Sequence, residues 1–409
     1  MSANYGRAPL SYAAACGNYD VVVALLDREE AEADGEDYYG RSHLSHAAEN
    51  GHTQVVNLFL QHPAMEPDHP DHELQTPFYW AVKERQYDVV ELLLEQKSVN
   101  PNWKDVNGQT PLLWACLRGY SDIVELLLRR EDIEPEIWAP NGQTALACAA
   151  ESGHHQVVKQ LLNRSDIDIN SPDKDARTPV LLAARHGHVK VVDFLLERND
   201  INADKADTHG RTPLSHAAEW GHREIVASLL ARQDVWPDRF DKWGGRPLSW
   251  AVDEAHNEIV QLILEHPGVD ANARNAMGGT VLVNAASFGY HGIVKLLLRW
   301  KGILPNMYRD NGRTALLVAA MYGKHEVVKL LLARDDVDPN LMDQNGRTAL
   351  WSASIYGNTE VARLLLERED TDPNIADKGG RTPLQCATQG GHRAIVKRLM
   401  EREDVRNGM

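Results

Sequence analysis

Residues 210–238 read GRTPLSHAAEWGHREIVASLLARQDVWPD, and this stretch decides the fold. Thr212 before Pro213 has the form of a helix N-cap followed by proline at the first helical position, where the missing N–H costs nothing. Leu214 and Ala217 come next at helical spacing and share one face. Gly221 suits the left-handed residue that ends a helix. Ile225, Val226, Leu229 and Leu230 then mark the apolar face of a second helix. The spacing predicts helix, turn, helix, with both helices carrying a face that needs a partner.

The partner is another copy of the same unit. Gly6, Gly40, Gly108, Gly142, Gly210, Gly244, Gly278, Gly312, Gly346 and Gly380 stand in one register of 34 residues, and Leu74 and Ala176 fill the two remaining slots. Twelve units therefore follow one another without insertion or deletion. The Thr212 position is Thr in nine of the twelve, and the Ala217 position is Ala in all twelve, small enough for a second helix to approach closely. The Gly221 position is Gly in ten, with Arg85 and Ala255 as the exceptions. After the second helix, segments such as DVDPN at 336–340 lead to Asp343 and Gly346, which is turn chemistry. No single unit can bury its own apolar face, so neighbour stacking must supply the stability.

The recurring pattern D-x-x-G-R-T-P-L-x-x-A-A-x-x-G-H-x-x-V-V-x-L-L-L resembles the ankyrin repeat. Tetratricopeptide repeats share the period, but their W-x-x-L-G-x-x-Y pattern is absent. The usual ankyrin repeat is one residue shorter and carries Gly-Ala after its second helix. Here an acidic, Pro-containing loop such as RDDVDPN stands in its place, a variant similar to the long ankyrin arrays of filamentous fungi. The resemblance implies an all-α repeat solenoid of about twelve helix-turn-helix units with short β-hairpin connections. It implies a single domain over residues 1–409, whose first unit lacks its leading hairpin strand. The last unit reads as a polar C-terminal cap, since Arg398 takes a slot held by Leu58, Leu92, Leu126 and Leu262 elsewhere. The first unit instead carries Val21, Val22 and Val23 on its second helix, so that end reads as an exposed apolar patch or a contact surface.

Composition narrows the function. The 409 residues carry 43 Lys+Arg against 59 Asp+Glu, a net charge of −16, which argues against nucleic-acid binding. Cys16, Cys116, Cys148 and Cys386 share no ligand or disulfide spacing, which fits a reducing compartment. No run of 18 apolar residues occurs and MSANYGRAPL has no apolar core, so neither a membrane span nor a signal peptide is expected. The expected location is cytoplasmic, with the nucleus also open. Residues 1–204 hold 17 basic and 33 acidic side chains, so the whole net charge falls there. Its densest stretch, DREEAEADGED at 27–37, reads as a solvated acidic face or as a docking surface for a basic partner.

No Walker loop, G-x-S-x-G, H-E-x-x-H or C-x-x-C appears, so no catalytic residue, metal or cofactor is expected. His52, His154, His188, His222, His256 and His392 occupy one column, one per layer, too far apart to share a metal. The resemblance makes them structural.

Candidate binding residues come from two columns of the first helix, the residue before the invariant Ala and the residue before Gly, which lie four apart on one face. Eight of these 24 positions are aromatic, namely Tyr12, Trp80, Trp114, Trp220, Trp250, Phe288, Tyr322 and Tyr356, against 7% aromatic residues chain-wide. Five fall in consecutive units from Trp220 to Tyr356, and the turn residues Phe240, Trp243 and Tyr308 flank them. Departures from the repeat gather in the same region. Arg246 replaces the Thr cap, Ala255 replaces Gly, Asn275 and Arg309 replace the turn Asp, and Val281 replaces Pro. Arg246, Arg274 and Arg309, with Asp253 and Glu254, add polar anchors. The rings either brace neighbouring helices or line a recognition groove. The expected function is a non-catalytic scaffold for a protein or peptide with a basic segment, held on the concave face. The alternative is a small-molecule or catalytic pocket around units seven to ten, where His216 and His256 would join Asp253 and Glu254 in acid–base work.

Overall fold

The computed structural model describes residues 6–28 and 34–402. Among these residues 24 short helices alternate with turns, two per repeat, from α1 (Pro9–Cys16) to α24 (Arg393–Glu401). The chain divides into two compact units, residues 1–208 and 209–409, each a stack of six helix pairs. Inside each unit first helices pack on first helices and second on second, as α13 (Pro213–Glu219) does on α15 (Pro247–Asp253), and α14 (Arg223–Leu230) on α16 (Asn257–Leu264). Leu214, Ala217, Ile225, Val226 and Leu229 are fully buried between them. At a helix length of seven or eight residues, below what holds a helix in isolation, this tertiary burial is what makes the segments helical.

The predicted N-caps form. Thr212 Oγ1 accepts the Ser215 N–H at 3.2 Å, and Thr76, Thr110, Thr144, Thr178, Thr280, Thr314, Thr348 and Thr382 cap their own helices in the same way. At Arg246 the cap hydroxyl is missing and no side-chain cap forms; Ser249 Oγ reaches back to the cap residue instead. It accepts the Arg246 N–H at 2.7 Å and donates to the Arg246 carbonyl at 2.8 Å.

The connections between repeats are tight turns organised by an acid. Asp241 Oδ1 accepts the N–H groups of Trp243 and Gly245 at 2.9 and 2.8 Å, and Asp37, Asp71, Asp105, Asp173, Asp343 and Asp377 repeat the arrangement. Asn275 keeps both bonds. At Arg309 the acceptor moves two residues on, to Asn311, which takes the Arg313 N–H at 3.2 Å. Strand pairing in these hairpin-like turns is limited, among the described residues, to the isolated bridges Glu36–Ser42 and Tyr308–Thr314.

Both glycine columns are left-handed throughout the described repeats. Among the described residues the four non-glycine positions with positive φ are Leu74 (58°), Arg85 (56°), Ala176 (60°) and Ala255 (60°), the four exceptions in those columns. The stack imposes this backbone even where the sequence offers no glycine to ease it.

Of the acidic stretch 27–37, residues 29–33 lie outside the described residues. Asp37 is a buried turn acid, with His46 Nε2 at 3.0 Å from its Oδ2. In the last repeat Arg398 is exposed, and in the first Val21 is exposed, Val22 buried and Val23 half-buried.

Candidate functional site

The second unit holds the candidate residues. Trp220 follows α13, Phe288 ends α17 (Val281–Phe288), Tyr322 follows α19 (Ala315–Met321) and Tyr356 ends α21 (Ala349–Tyr356). They share one register position, at the C-terminal end of each first helix, and their exposures lie between 53% and 56%. Glu254 holds the same position after α15 and is exposed. On the neighbouring turns Phe240, Trp243 and Tyr308 are half or more exposed. Trp243 stacks on His209 at 5.3 Å, Phe288 on Tyr290 at 5.3 Å, and the Arg274 guanidinium lies 5.2 Å from the Tyr308 ring centre.

Trp250 is placed differently. It is half-buried, its Nε1–H donates to Asp241 Oδ2 at 3.0 Å, and the Arg211 guanidinium covers its ring at 4.1 Å. Trp80 makes the same bond to Asp71 at 2.9 Å, under Arg41 and Lys83. Trp351 is buried, donates to the Arg381 carbonyl at 3.0 Å and lies between Arg347 and Arg381. Trp80, Trp250 and Trp351 thus have both face and N–H engaged within the scaffold. Trp114 has its face covered by Arg118 and Lys83, while its Nε1 lacks a partner among the described residues. The rings at the helix ends are more than half exposed.

Beneath the row, three successive repeats are joined by polar side chains. Asn284 donates to Asp253 Oδ1 at 3.0 Å, and Arg309 Nη2 donates to Asn284 Oδ1 at 2.8 Å. Burial pushes the Asp253 carboxyl above its ordinary range, against the Asn284 bond that favours its charge, with Glu254 adding to the rise. Burial likewise lowers the Arg309 guanidinium. Asp253 and Arg309 were both legible in the sequence. Asn284 was not, because it sits in the aromatic-rich column without being aromatic, nor were the bracing pair Arg211 and Asp241.

Arg246 turns away from this chain. Its Nε lies 3.3 Å from Asp238 Oδ2 and its guanidinium 5.5 Å from the Phe240 ring. Desolvation by burial outweighs the Arg246 charge and raises the Asp238 pKa to about 6. The cavity bounded by Arg246, Ser249, Asn275 and Asn284 measures about 10 Å³, the space of one water molecule.

The grouping of Asp253 and Glu254 with two histidines does not assemble as a hydrogen-bonded set. His256 Nε2 donates to the Glu219 carbonyl at 2.9 Å, and His216 is buried with its Nδ1 3.9 Å from Glu219 Oε2. Burial also pushes the Cys148 thiol up to about 12 and Cys116 well above the usual thiol range. One cluster unanticipated by the sequence lies in the first unit, where ligand atoms of Asp34, Glu66 and His69 come within 4.8 Å of one another. There His69 pairs with Asp34 at 3.5 Å and Glu36 at 3.3 Å.

Two helices per repeat, a capped and proline-started first helix, and paired left-handed columns are the frame on which the comparisons bear. The model of the ankyrin-repeat family (three copies) matches residues 10–105, 97–173, 165–239, 202–275, 248–343 and 334–407. The chain belongs to the ankyrin-repeat family. Ankyrin repeats generally mediate protein–protein interaction. Among solved structures, the ankyrin-repeat protein EF0377 is 29% identical over 46% of this chain and 97% of its own, with a TM-score of 0.45. The ankyrin-repeat domain of Bcl-3, a member of the IκB protein family, is 27% identical over 55% of this chain and 99% of its own, with a TM-score of 0.49. No curated protein sequence matches the chain. No described helix of this ankyrin array is long and apolar enough to cross a membrane.

Proposed function

We propose that the aromatic row of residues 209–409 is a docking face for a protein partner, engaged as an extended segment that carries apolar side chains and a Lys or Arg. The observation that carries this reading is the exposure of Trp220, Phe288, Tyr322 and Tyr356 at one register position, beside other rings of the array that the scaffold itself occupies. Exposed aromatic side chains offer large contact area at small entropic cost and are enriched at binding hot spots. Layers of packed helices lie roughly 8–10 Å apart, and an extended chain advances about 3.3 Å per residue, so every third residue of the segment would meet the next ring. Glu254 interrupts the row with a carboxylate above Asp253, a place for a cation between Trp220 and Phe288. The acidic excess of residues 1–204 supports long-range attraction of the same basic segment.

A small-molecule site has less behind it. The cavity at Arg246 is about 10 Å³, and the depression of about 370 Å³ beside Gly221, Arg223, His256 and Glu258, although within the roughly 300–1,000 Å³ of ligand pockets, lies open to solvent. We also read the twelve repeats as one array, because the 34-residue register passes residue 208 unbroken.

Panning a random peptide library tests the docking face, with wild type beside a folded F288A/Y322A/Y356A variant. Peptides with a basic residue among apolar ones, retained by wild type and lost by the variant, support it. Equal retention by both proteins rules the row out. Association slowed by added salt is expected for the charged segment, and a salt-independent rate removes the steering.

A further inference from the structure

One loop column ties each layer to the next through the peptide backbone. Asn102 donates its side-chain amide to the Asp132 carbonyl at 2.7 Å and accepts the Glu134 N–H at 3.0 Å. Asn170 does the same with Asp200 and Asn202, both at 2.7 Å. In the second unit Asn272 bonds Gly302 and Leu304, Asn306 bonds Asp336 and Asp338, and Asn340 bonds Asp370 and Asp372. The amide suits both tasks because it carries a donor and an acceptor.

Several repeats have an acid there. Asp68 Oδ2 accepts the Asn100 N–H at 2.7 Å, 32 residues on like the N–H that each Asn accepts, but its Oδ1 is buried without a hydrogen-bond partner. Glu136 accepts from the Asp168 backbone and Asp238 from the Asp270 backbone, while Glu136 Oε1 and Asp238 Oδ1 are buried and unpartnered. The acid keeps the accepting half of the asparagine's task. As a carboxylate it has no hydrogen for the other half.

We propose that Asp68, Glu136 and Asp238 are proton-uptake sites that clamp neighbouring repeats together as pH falls. The protonated carboxyl gains an O–H, taken from solvent, and donates it to the backbone carbonyl that the Asn amide reaches elsewhere. By register these are the carbonyls of Ser98, Asp166 and Gly268, 30 residues on, the separation seen for each Asn. Protonation removes a half-buried charge and gives the carboxyl, one of whose oxygens is buried without a partner, a hydrogen to share.

The surrounding charges permit it. Glu66 opposes ionisation of Asp68 and Arg130 favours it. Asp168 and Asp166 both oppose ionisation of Glu136. Arg246 favours the charge on Asp238 and Asp270 opposes it. Burial is the largest effect at all three, and each pKa is raised, that of Asp238 to about 6. An acid whose folded pKa exceeds its unfolded value, near 3.9 for Asp, destabilises the fold most above the folded pKa. The loss is recovered as pH falls through it.

The test is urea unfolding of the full chain from pH 8 to pH 5, comparing wild type with D68N/E136Q/D238N and D68A/E136A/D238A. The amide variant is expected to unfold at higher urea than wild type at pH 8, and the gap to close by pH 5. A gap independent of pH, or an amide variant less stable than wild type at pH 8, overturns the proposal. The alanine variant separates the clamp from mere loss of charge. It is expected to fall below wild type at pH 5, and equality there removes the donated hydrogen bond. Carboxyl carbon NMR gives the direct reading, with an Asp238 midpoint near 6 expected and one at or below 4 fatal.

Discussion

His188 donates its Nε2 hydrogen to the carbonyl oxygen of Glu151, 2.8 Å away and 37 residues earlier in the chain. The bond ends a first helix by satisfying a carbonyl that has no partner within the helix. His52, His154, His256 and His392 do the same for Ala15, Leu117, Glu219 and Ile355. The ring reaches its target by lying against the glycine of the preceding layer, where a Cβ on Gly153 would fall 2.5 Å from His188 Nδ1. This explains the two exceptions in that glycine column. Arg85 and Ala255 are the residues whose next layer carries Tyr120 and Tyr290 instead, and Arg85 packs over the Tyr120 ring at 5.3 Å.

Removing the imidazole should therefore cost stability at one layer junction. H188A is expected to lose about 1–2 kcal/mol, the order of cost of leaving a part-buried carbonyl without its donor. H188Q should recover most of that, because Gln86 already makes the equivalent bond to the Glu49 carbonyl at 2.9 Å. Urea unfolding of the three proteins decides it, and an H188Q as weak as H188A would show that ring packing, not the bond, matters.

The left-handed exceptions are sites where the sequence works against the backbone. Ala176 has φ of 60° and a methyl side chain only. Glycine relieves about 1–2 kcal/mol of left-handed strain and adds about 0.5–1 kcal/mol of unfolded-state entropy, so A176G should stabilise by roughly 0.5–1 kcal/mol. A255G should behave alike. A fall in stability for both would mean that the methyl groups pack usefully.

The repeat was readable because its columns have backbone causes. Thr212, Pro213, Ala217 and Gly221 each answer a local steric or capping demand that recurs twelve times, so the pattern outweighs any single departure. The site was readable only in part. Spacing identifies which residues share the first-helix face, but exposure depends on what the preceding layer and the adjoining turn supply. Trp250 and Trp220 both belong to the aromatic-rich face, but Trp250 stands before the invariant Ala, where Arg211 and Asp241 enclose it, while Trp220 stands before Gly and faces solvent. Asn284 escaped notice because nothing local marks an amide that must bridge Asp253 to Arg309. The acids at Asp68, Glu136 and Asp238 looked like ordinary turn residues, since their buried oxygens are a property of stacking.

Asp253 should trade stability for recognition. Its carboxyl is raised by burial, so the charged form is penalised in the fold above that pKa, and the penalty fades as pH falls through it. D253N is therefore expected to melt higher than wild type at pH 8, with the two curves converging toward pH 4. The same variant should bind a basic peptide more weakly. A melting temperature at pH 8 below that of wild type would mean that the Asp253–Asn284–Arg309 chain needs the charge.

The aromatic residues fall into two groups that stability and binding measurements should separate. Phe288 and Tyr322 are more than half exposed, so F288A and Y322A should each stay within about 0.5 kcal/mol of wild type. W250A should cost about 2–4 kcal/mol, because it removes a half-buried ring, uncovers Arg211 and leaves Asp241 Oδ2 without its donor. Binding of a selected peptide should reverse the order. Loss of an anchoring ring at Phe288 or Tyr322 is expected to weaken affinity by at least fivefold, about 1 kcal/mol or more. W250A, assayed where it remains folded, should bind within about twofold of wild type, well under 1 kcal/mol. If W250A loses the peptide while F288A and Y322A keep it, the contact lies on the turns beside Asp241 and not along the helix ends.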